Sequence, residues 1–233
     1  LVIRNVKSYV LNIIRSFTVK YQKIVYGKPS KTFTNLEGPT FTDTRDNNEY
    51  TLVEIGNQVW MAENLAYLPF LSPPSSESYT QPYYYVNGYE GTSVSSAKFK
   101  NSYKIYGVLY NWPAAMNGAV SSNSKPSGVQ GVCPDGWHLP STSGWNELIN
   151  YLGGWDKAGV KLKGLTQWAD PNNGATNSSG LTALPGGSRE YYGYFGGVGG
   201  GGLWWSVYFA IGWSISPFFP LYRIIYLIIF VSP

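Results

Sequence analysis

Glycine sets the tightest limit on what this chain can fold into. There are 27 glycines in 233 residues, set among 20 tyrosines and nine tryptophans. Such frequent interruption of an aromatic-rich sequence predicts short strands joined by many turns, not a bundle of long helices. Only 13% of the residues are charged, about half the usual share of a soluble domain, while 43% are apolar. That balance excludes intrinsic disorder, a long coiled coil and a highly charged nucleic-acid scaffold. The length allows one large domain, or one domain with appendages, and a real core in either case.

The net charge of +4 is unevenly spread. Residues 1–36 carry seven basic residues and no acid, which leaves 10 basic and 13 acidic residues, a net of −3, over 37–233. The basic character thus belongs to the N-terminal segment. A nucleic-acid binder would want basic residues interleaved with aromatics on the folded domain, a pattern not read in the body, so nucleic acid is not expected as a partner. Within the segment, Ile3, Val6, Val10, Ile13, Phe17, Tyr21 and Ile24 recur at helical spacing. This reads as an amphipathic helix packing on a neighbour, in preference to a basic helix lying on a membrane surface; it is too polar to span one. Asn12 and Arg15 interrupt any signal-peptide core.

From Thr40 the pattern alternates. Phe41–Tyr50 reads as a strand, a turn at Asp46-Asn47-Asn48 and a return; Thr51–Ile55, Gly56-Asn57 and Gln58–Trp60 read as a hairpin. Residues 68–96, rich in Pro, Ser and Tyr, read as a long loop. Two helices are expected. One runs from Asn111 through Met116 with Pro113 in its first turn; the other is capped by Ser141, carries the stripe Trp145, Leu148, Ile149, Leu152, and ends at Gly153-Gly154. The glycine-rich run 193–202 is expected to be neither strand nor helix. Residues 203–233 are strongly apolar with Arg223 as their one charge, but Pro217 and Pro220 argue against a membrane span.

The residues offer little conventional chemistry. Cys133 and His138 are five apart, but Pro134-Asp135-Gly136 forms a turn that separates them, so a buried structural role outweighs a thiol–base pair. One Cys and one His fall short of a zinc site and of an intrachain disulfide. No cofactor is expected, with calcium on Asp170, Asn172 and Asn173 kept as a lesser option. The run Gly196–Gly202 lacks the Lys-Ser/Thr of a phosphate loop, and no acid sits in a distinctive context for glycoside hydrolysis. Aromatic clusters at Tyr83-Tyr84-Tyr85, Tyr191-Tyr192, Tyr194 and Trp204-Trp205 are the best functional hint, since they offer flat faces with polar edges. Trp60, Trp112, Trp137, Trp145 and Trp205 are expected to be mostly core.

Six segments then appear in order. They are Phe41-Thr-Asp-Thr-Arg-Asp46, Ile55-Gly-Asn-Gln-Val-Trp-Met-Ala-Glu-Asn-Leu65, Tyr106-Gly-Val-Leu-Tyr-Asn-Trp112, Val132-Cys-Pro-Asp-Gly-Trp-His-Leu-Pro-Ser141, Leu184-Pro-Gly-Gly187 and Trp204-Trp-Ser206. This set resembles the Fibrobacter succinogenes major paralogous domain over residues 40–206. The resemblance implies an α+β fold of C-type-lectin-like kind, with short twisted antiparallel strands, two helices and long loops. It also implies an extracellular or cell-surface bacterial protein with a recognition role. Two departures stand out. The family usually carries Glu where Gly144 stands, and it ends in a polar strand whose Cys would pair with the one in the Cys-Pro segment. Here that ending is missing and the tail contains two Ile-Ile pairs, as Asn-Asn codons would give when read one base later. The tail is therefore expected to be frame-shifted.

The expected organisation is a basic segment over 1–36, the family domain over 37–206, and an aberrant hydrophobic tail over 207–233. The expected function is non-enzymatic recognition of a carbohydrate or surface protein through loops 75–95 and 188–206, with Tyr84, Tyr192 and Trp204 as contacts. Cys133, Trp137, His138, Trp60 and Trp205 are assigned structural roles. Membrane association is left open. The alternatives are a structural or adhesion module of the envelope and, disfavoured by the single Cys133, an oxidase resembling the formylglycine-generating enzymes.

Overall fold

A computed structural model describes residues 38–190 and 192–207, together with the backbone of two short strands at 213–214 and 230–231. The expected helix over 1–36 and most of the tail lie outside the described residues.

The first strands follow the alternation. β1 (Thr40–Thr42), β2 (Glu49–Ile55) and β3 (Gln58–Met61) form an antiparallel meander, with Ile55 opposite Gln58 across the Gly56-Asn57 turn. β10 (Phe230–Val231) pairs with the free side of β3, giving the order β1-β2-β3-β10. Three two-stranded ribbons complete the described β structure. They are β4 (Tyr84–Tyr85) with β5 (Leu109–Tyr110), β6 (Gly186–Arg189) with β7 (Phe195–Val198), and β8 (Leu203–Trp204) with β9 (Trp213–Ser214).

Among the described residues there are five short helices where two were expected: α1 (Val94–Lys98), α2 (Asn101–Tyr106), α3 (Trp112–Met116), α4 (Thr142–Tyr151) and α5 (Trp155–Leu162). The two expected ones are α3 and α4. The additional ones are too short to display a full apolar stripe; α5 buries only Ala158 and Leu162, four residues apart. Ser141 caps α4 by accepting the Gly144 N–H at 3.1 Å. Gly144 thus still takes the serine half of the cap, and its own carbonyl accepts the Gln58 amide at 3.1 Å.

The glycine run differs from expectation, because Phe195–Val198 is a strand. The pairing explains why. Gly187 has φ 70°, and a Cβ there would overlap the Gly196 carbonyl oxygen. The β6–β7 ribbon closes this tightly only because Gly187 lacks a side chain.

Tryptophans join these small pieces into one core. Trp60 of β3 packs on Trp145 of α4 with centroids 5.0 Å apart. Trp145 donates its indole N–H to the Trp205 carbonyl at 3.0 Å, and Trp205 donates its own to the Tyr110 carbonyl at 3.0 Å. Trp205 also meets Trp112 of α3 edge to face at 5.2 Å. The ring contacts bury apolar surface, and the two indole hydrogen bonds satisfy donors that would otherwise cost free energy in the interior. Trp112 itself is only partly buried.

A buried ion pair ties the start of the domain to the Cys-Pro segment. Arg45 holds the fully buried Asp43 at 2.6 Å, donates to the Val132 carbonyl at 2.9 Å, and lies 3.9 Å above the Tyr67 ring.

Candidate functional site

The loops expected to form a binding surface meet in the structure, and a buried arginine joins them. Arg189, at the end of β6, is 1% exposed. Its Nε donates to the Pro74 carbonyl at 3.0 Å, and Nη2 donates to the same oxygen. Its guanidinium lies 4.8 Å over the Tyr85 ring, and Nη1 is 3.8 Å from the Glu77 carboxylate. Arginine suits this place because its planar fork gives two donors to one acceptor while its face stacks on the ring.

The loop after Leu71 is fastened from its other side as well. The Asn111 amide donates to the Ser78 and Gln81 carbonyls at 2.9 and 2.8 Å. Its oxygen accepts the Tyr83 N–H at 2.8 Å and the Ala114 N–H at 3.0 Å, so one side chain caps α3 and pins the loop. Tyr85 donates its hydroxyl to the Ser76 carbonyl. The tip of the β6–β7 ribbon closes against this loop. Gly193 has φ 86°, and a Cβ there would lie 2.8 Å from the Pro74 carbonyl oxygen, so no side chain fits.

These fastenings leave three tyrosines in solvent on the two loops. Tyr79 is 84% exposed, Tyr192 81% and Tyr194 73%. Glu77 and Glu190 stand beside them in sequence, and Ser188 donates to the Glu190 carboxylate at 3.1 Å.

Of the three expected contacts, only Tyr192 lies at the surface. Trp204 is 1% exposed and donates its indole N–H to Asn64 Oδ1 at 2.9 Å, while Asn64 donates to the Tyr106 carbonyl at 3.1 Å. Tyr84 is buried edge-on against Phe70 and Tyr110. Both are corrections to the contact assignment. Their two-residue strands are buried on both faces, and the neighbouring Tyr85 and Trp205 are withdrawn together with Tyr84 and Trp204. Tyr79 and Tyr194 take their place, and Arg189 was missed altogether. Its signal was modest: a basic residue two positions after the Leu-Pro-Gly-Gly segment, in a body with few of them.

Cys133, Trp137, His138, Trp60 and Trp205 are all buried. Burial pushes the Cys133 thiol well above its ordinary range and the His138 imidazole down to about 4. The thiol is therefore protonated and the imidazole neutral near pH 7. In the loop considered for calcium, the Asn172 amide donates to the Gly164 carbonyl at 3.2 Å, and Oδ1 is buried without a partner among the described residues. No group of three or more His, Cys, Asp or Glu side chains is placed to hold a metal among the described residues. No described helix is long and apolar enough to cross a membrane.

The family model for the Fibrobacter succinogenes major domain matches residues 53–211, more than half of the chain. The chain belongs to this family. No curated protein and no solved structure shows a match to it. The match begins inside β2, so β1 and the Asp43–Arg45 pair precede it, although Arg45 is bonded to the Val132 carbonyl within it. In this member of the Fibrobacter major domain family, the segments that carry the resemblance are used for packing and capping. Trp60, Asn64, Asn111, Trp137, Gly187, Trp204 and Trp205 all face inward or bond the backbone. The exposed tyrosines lie outside those segments.

The Arg189 clamp has a direct test. Arg189→Met keeps an unbranched side chain in place of the arginine but removes the guanidinium from Tyr85 and leaves the Pro74 carbonyl without its two donors, at a cost of about 1–3 kcal/mol. The loop should loosen, and chymotrypsin should cut after Tyr79 faster than in the parent chain. Equal cutting rates would show that the loop is held without Arg189.

Proposed function

We propose that this chain is a non-catalytic recognition domain of the bacterial cell surface, with a C-type-lectin-like arrangement and no resident cofactor. It binds carbohydrate through Tyr79, Tyr192 and Tyr194. The observation that carries this reading is the contrast in exposure: the aromatics of the family segments are almost all withdrawn into the core, while these three stand in solvent on loops clamped by Arg189 and Asn111. A tyrosine presents a rigid face to the C–H side of a sugar ring and a hydroxyl to its rim, at small entropic cost. Backbone clamping lowers the cost of ordering the loops when the ligand arrives. The neighbouring Glu77 and Glu190 offer acceptors to sugar hydroxyls and disfavour acidic ligands at this face.

A glycan array probed with the parent chain and with Tyr192→Ala/Tyr194→Ala tests it. Binding of neutral glycans should fall at least about tenfold in the variant, with its thermal midpoint unchanged. Equal array profiles for the two proteins would refute the assignment. Binding only to envelope proteins would favour an adhesion module instead.

A further inference from the structure

The α1–α2 corner carries a second surface of opposite charge. From Gly91 to Pro134 the chain holds four lysines and no acidic residue, within a body whose net charge is negative. Three of these lysines, Lys98, Lys100 and Lys104, sit on or between α1 and α2. Among the described residues none of the three has a carboxylate within ion-pair distance. Asp46 faces Lys98 at longer range, while Lys100 and Lys104 form no ion pair among the described residues.

Between the first two lysines stands Phe99, 78% exposed. It is not on a fraying end. As the C-cap of α1 it keeps helical angles, φ −78° and ψ −15°, and its N–H donates to the Ser96 carbonyl at 3.3 Å. Two of the lysines lie over rings: Lys100 Nζ is 5.7 Å from the Tyr89 ring centroid and Lys98 Nζ 5.8 Å from that of Tyr103. Tyr103 is itself fixed, donating its hydroxyl to the Ala66 carbonyl at 2.9 Å. A large apolar ring on a helical backbone in water, between cations that lack a carboxylate partner among the described residues, marks an interaction surface.

We infer that this corner binds an acidic polysaccharide, with Phe99 stacking on a sugar ring and Lys100 and Lys104 pairing with its carboxylates. A lipid surface fits less well. The two helices span only five and six residues, and beyond Phe99 the exposed apolar content is Ile105, too little to anchor in acyl chains. The flat aromatic and cationic elements suit a ring polymer with regularly spaced charges. This site is independent of the tyrosine face and uses none of its residues.

The test is binding of the full chain to polygalacturonate, with fully methyl-esterified polygalacturonate as the uncharged version of the same polymer. Binding to the acidic form only is expected, weakening steeply between low and physiological salt. Lys100→Gln/Lys104→Gln should lower affinity about fivefold to tenfold, and Phe99→Ala by a similar factor, with unchanged thermal midpoints. Both variants should keep the neutral-glycan profile of the parent on the array. Equal binding to the esterified polymer, no binding to either, or insensitivity to both variants would overturn the inference. So would stronger binding to phosphatidylglycerol vesicles than to polygalacturonate.

Discussion

Replacing Trp204 with alanine should destabilise the domain by about 3–5 kcal/mol, a large share of what a domain of this size has to lose. Three effects add. A fully buried indole disappears from the core, a cavity remains, and Asn64 Oδ1 loses its donor. Asn64 also donates to the Tyr106 carbonyl, so its loosening reaches the end of α2. Tyr192→Ala should stay within about 0.5 kcal/mol of the parent, as surface changes generally do. Urea unfolding of the two variants beside the parent measures both numbers. Comparable losses would show that Trp204 and Tyr192 do not divide into core and surface. Gly202 sharpens the case, because a Cβ there would collide with the Trp204 ring and crowd the Leu184 carbonyl oxygen at 2.7 Å.

The second large effect is a dependence on pH. His138 is buried, and its pKa falls from an ordinary 6.5 to about 4 by desolvation. The unfolded chain therefore binds a proton between these values that the folded chain does not. By linkage, stability contributed by neutral His138 is complete above the unfolded value and is lost as pH falls toward about 4, with a limit near 3 kcal/mol. Comparing His138→Gln with the parent removes the contribution of other titrating groups. The stability difference between the two should shift by about 2–3 kcal/mol in the variant's favour from pH 7 to pH 4.5. A difference that stays constant over this window would mean that the imidazole is accessible to protons in the folded state.

How far the fold was legible from residues alone depended on whether a local signal existed. The Gly56-Asn57 hairpin and the Ser141-capped helix carry their signals within a few residues, and both form where the spacing puts them. α5 does not, because it follows the Gly153-Gly154 stop and has only Ala158 and Leu162 on its buried side. β7 runs against local propensity, and its pairing depends on a residue outside it, Gly187, where a Cβ would overlap the Gly196 carbonyl oxygen. Propensity describes a residue, whereas close approach of two backbones describes a pair. The candidate site was legible as a pair of loops, but only in part as residues. Tyr84 and Trp204 sit in aromatic clusters that look alike in sequence, and burial separates them from Tyr79, Tyr192 and Tyr194. Arg189 could not be distinguished from a solvated cation until its partners Pro74 and Tyr85, more than a hundred residues earlier, were known.

β9 and β10 supply backbone partners for β8 and β3, although the residues around them depart from the polar ending that the family resemblance implies. An edge such as the free side of β3 accepts any strand of suitable length, because ladder bonds involve main chain only.

Tyrosine labelling read by mass spectrometry tests the tyrosine face most directly. In the free protein Tyr79, Tyr192 and Tyr194 should react quickly. Tyr84, Tyr85 and Tyr110 should resist, both because they are buried and because burial raises their phenols, that of Tyr85 to about 12. Saturation with the neutral glycan that binds best on the array should protect the first three and leave Tyr151, 65% exposed on α4, as reactive as before. Labelling of Tyr84 as fast as Tyr192, or protection at Tyr151 in place of Tyr192 and Tyr194, would contradict it.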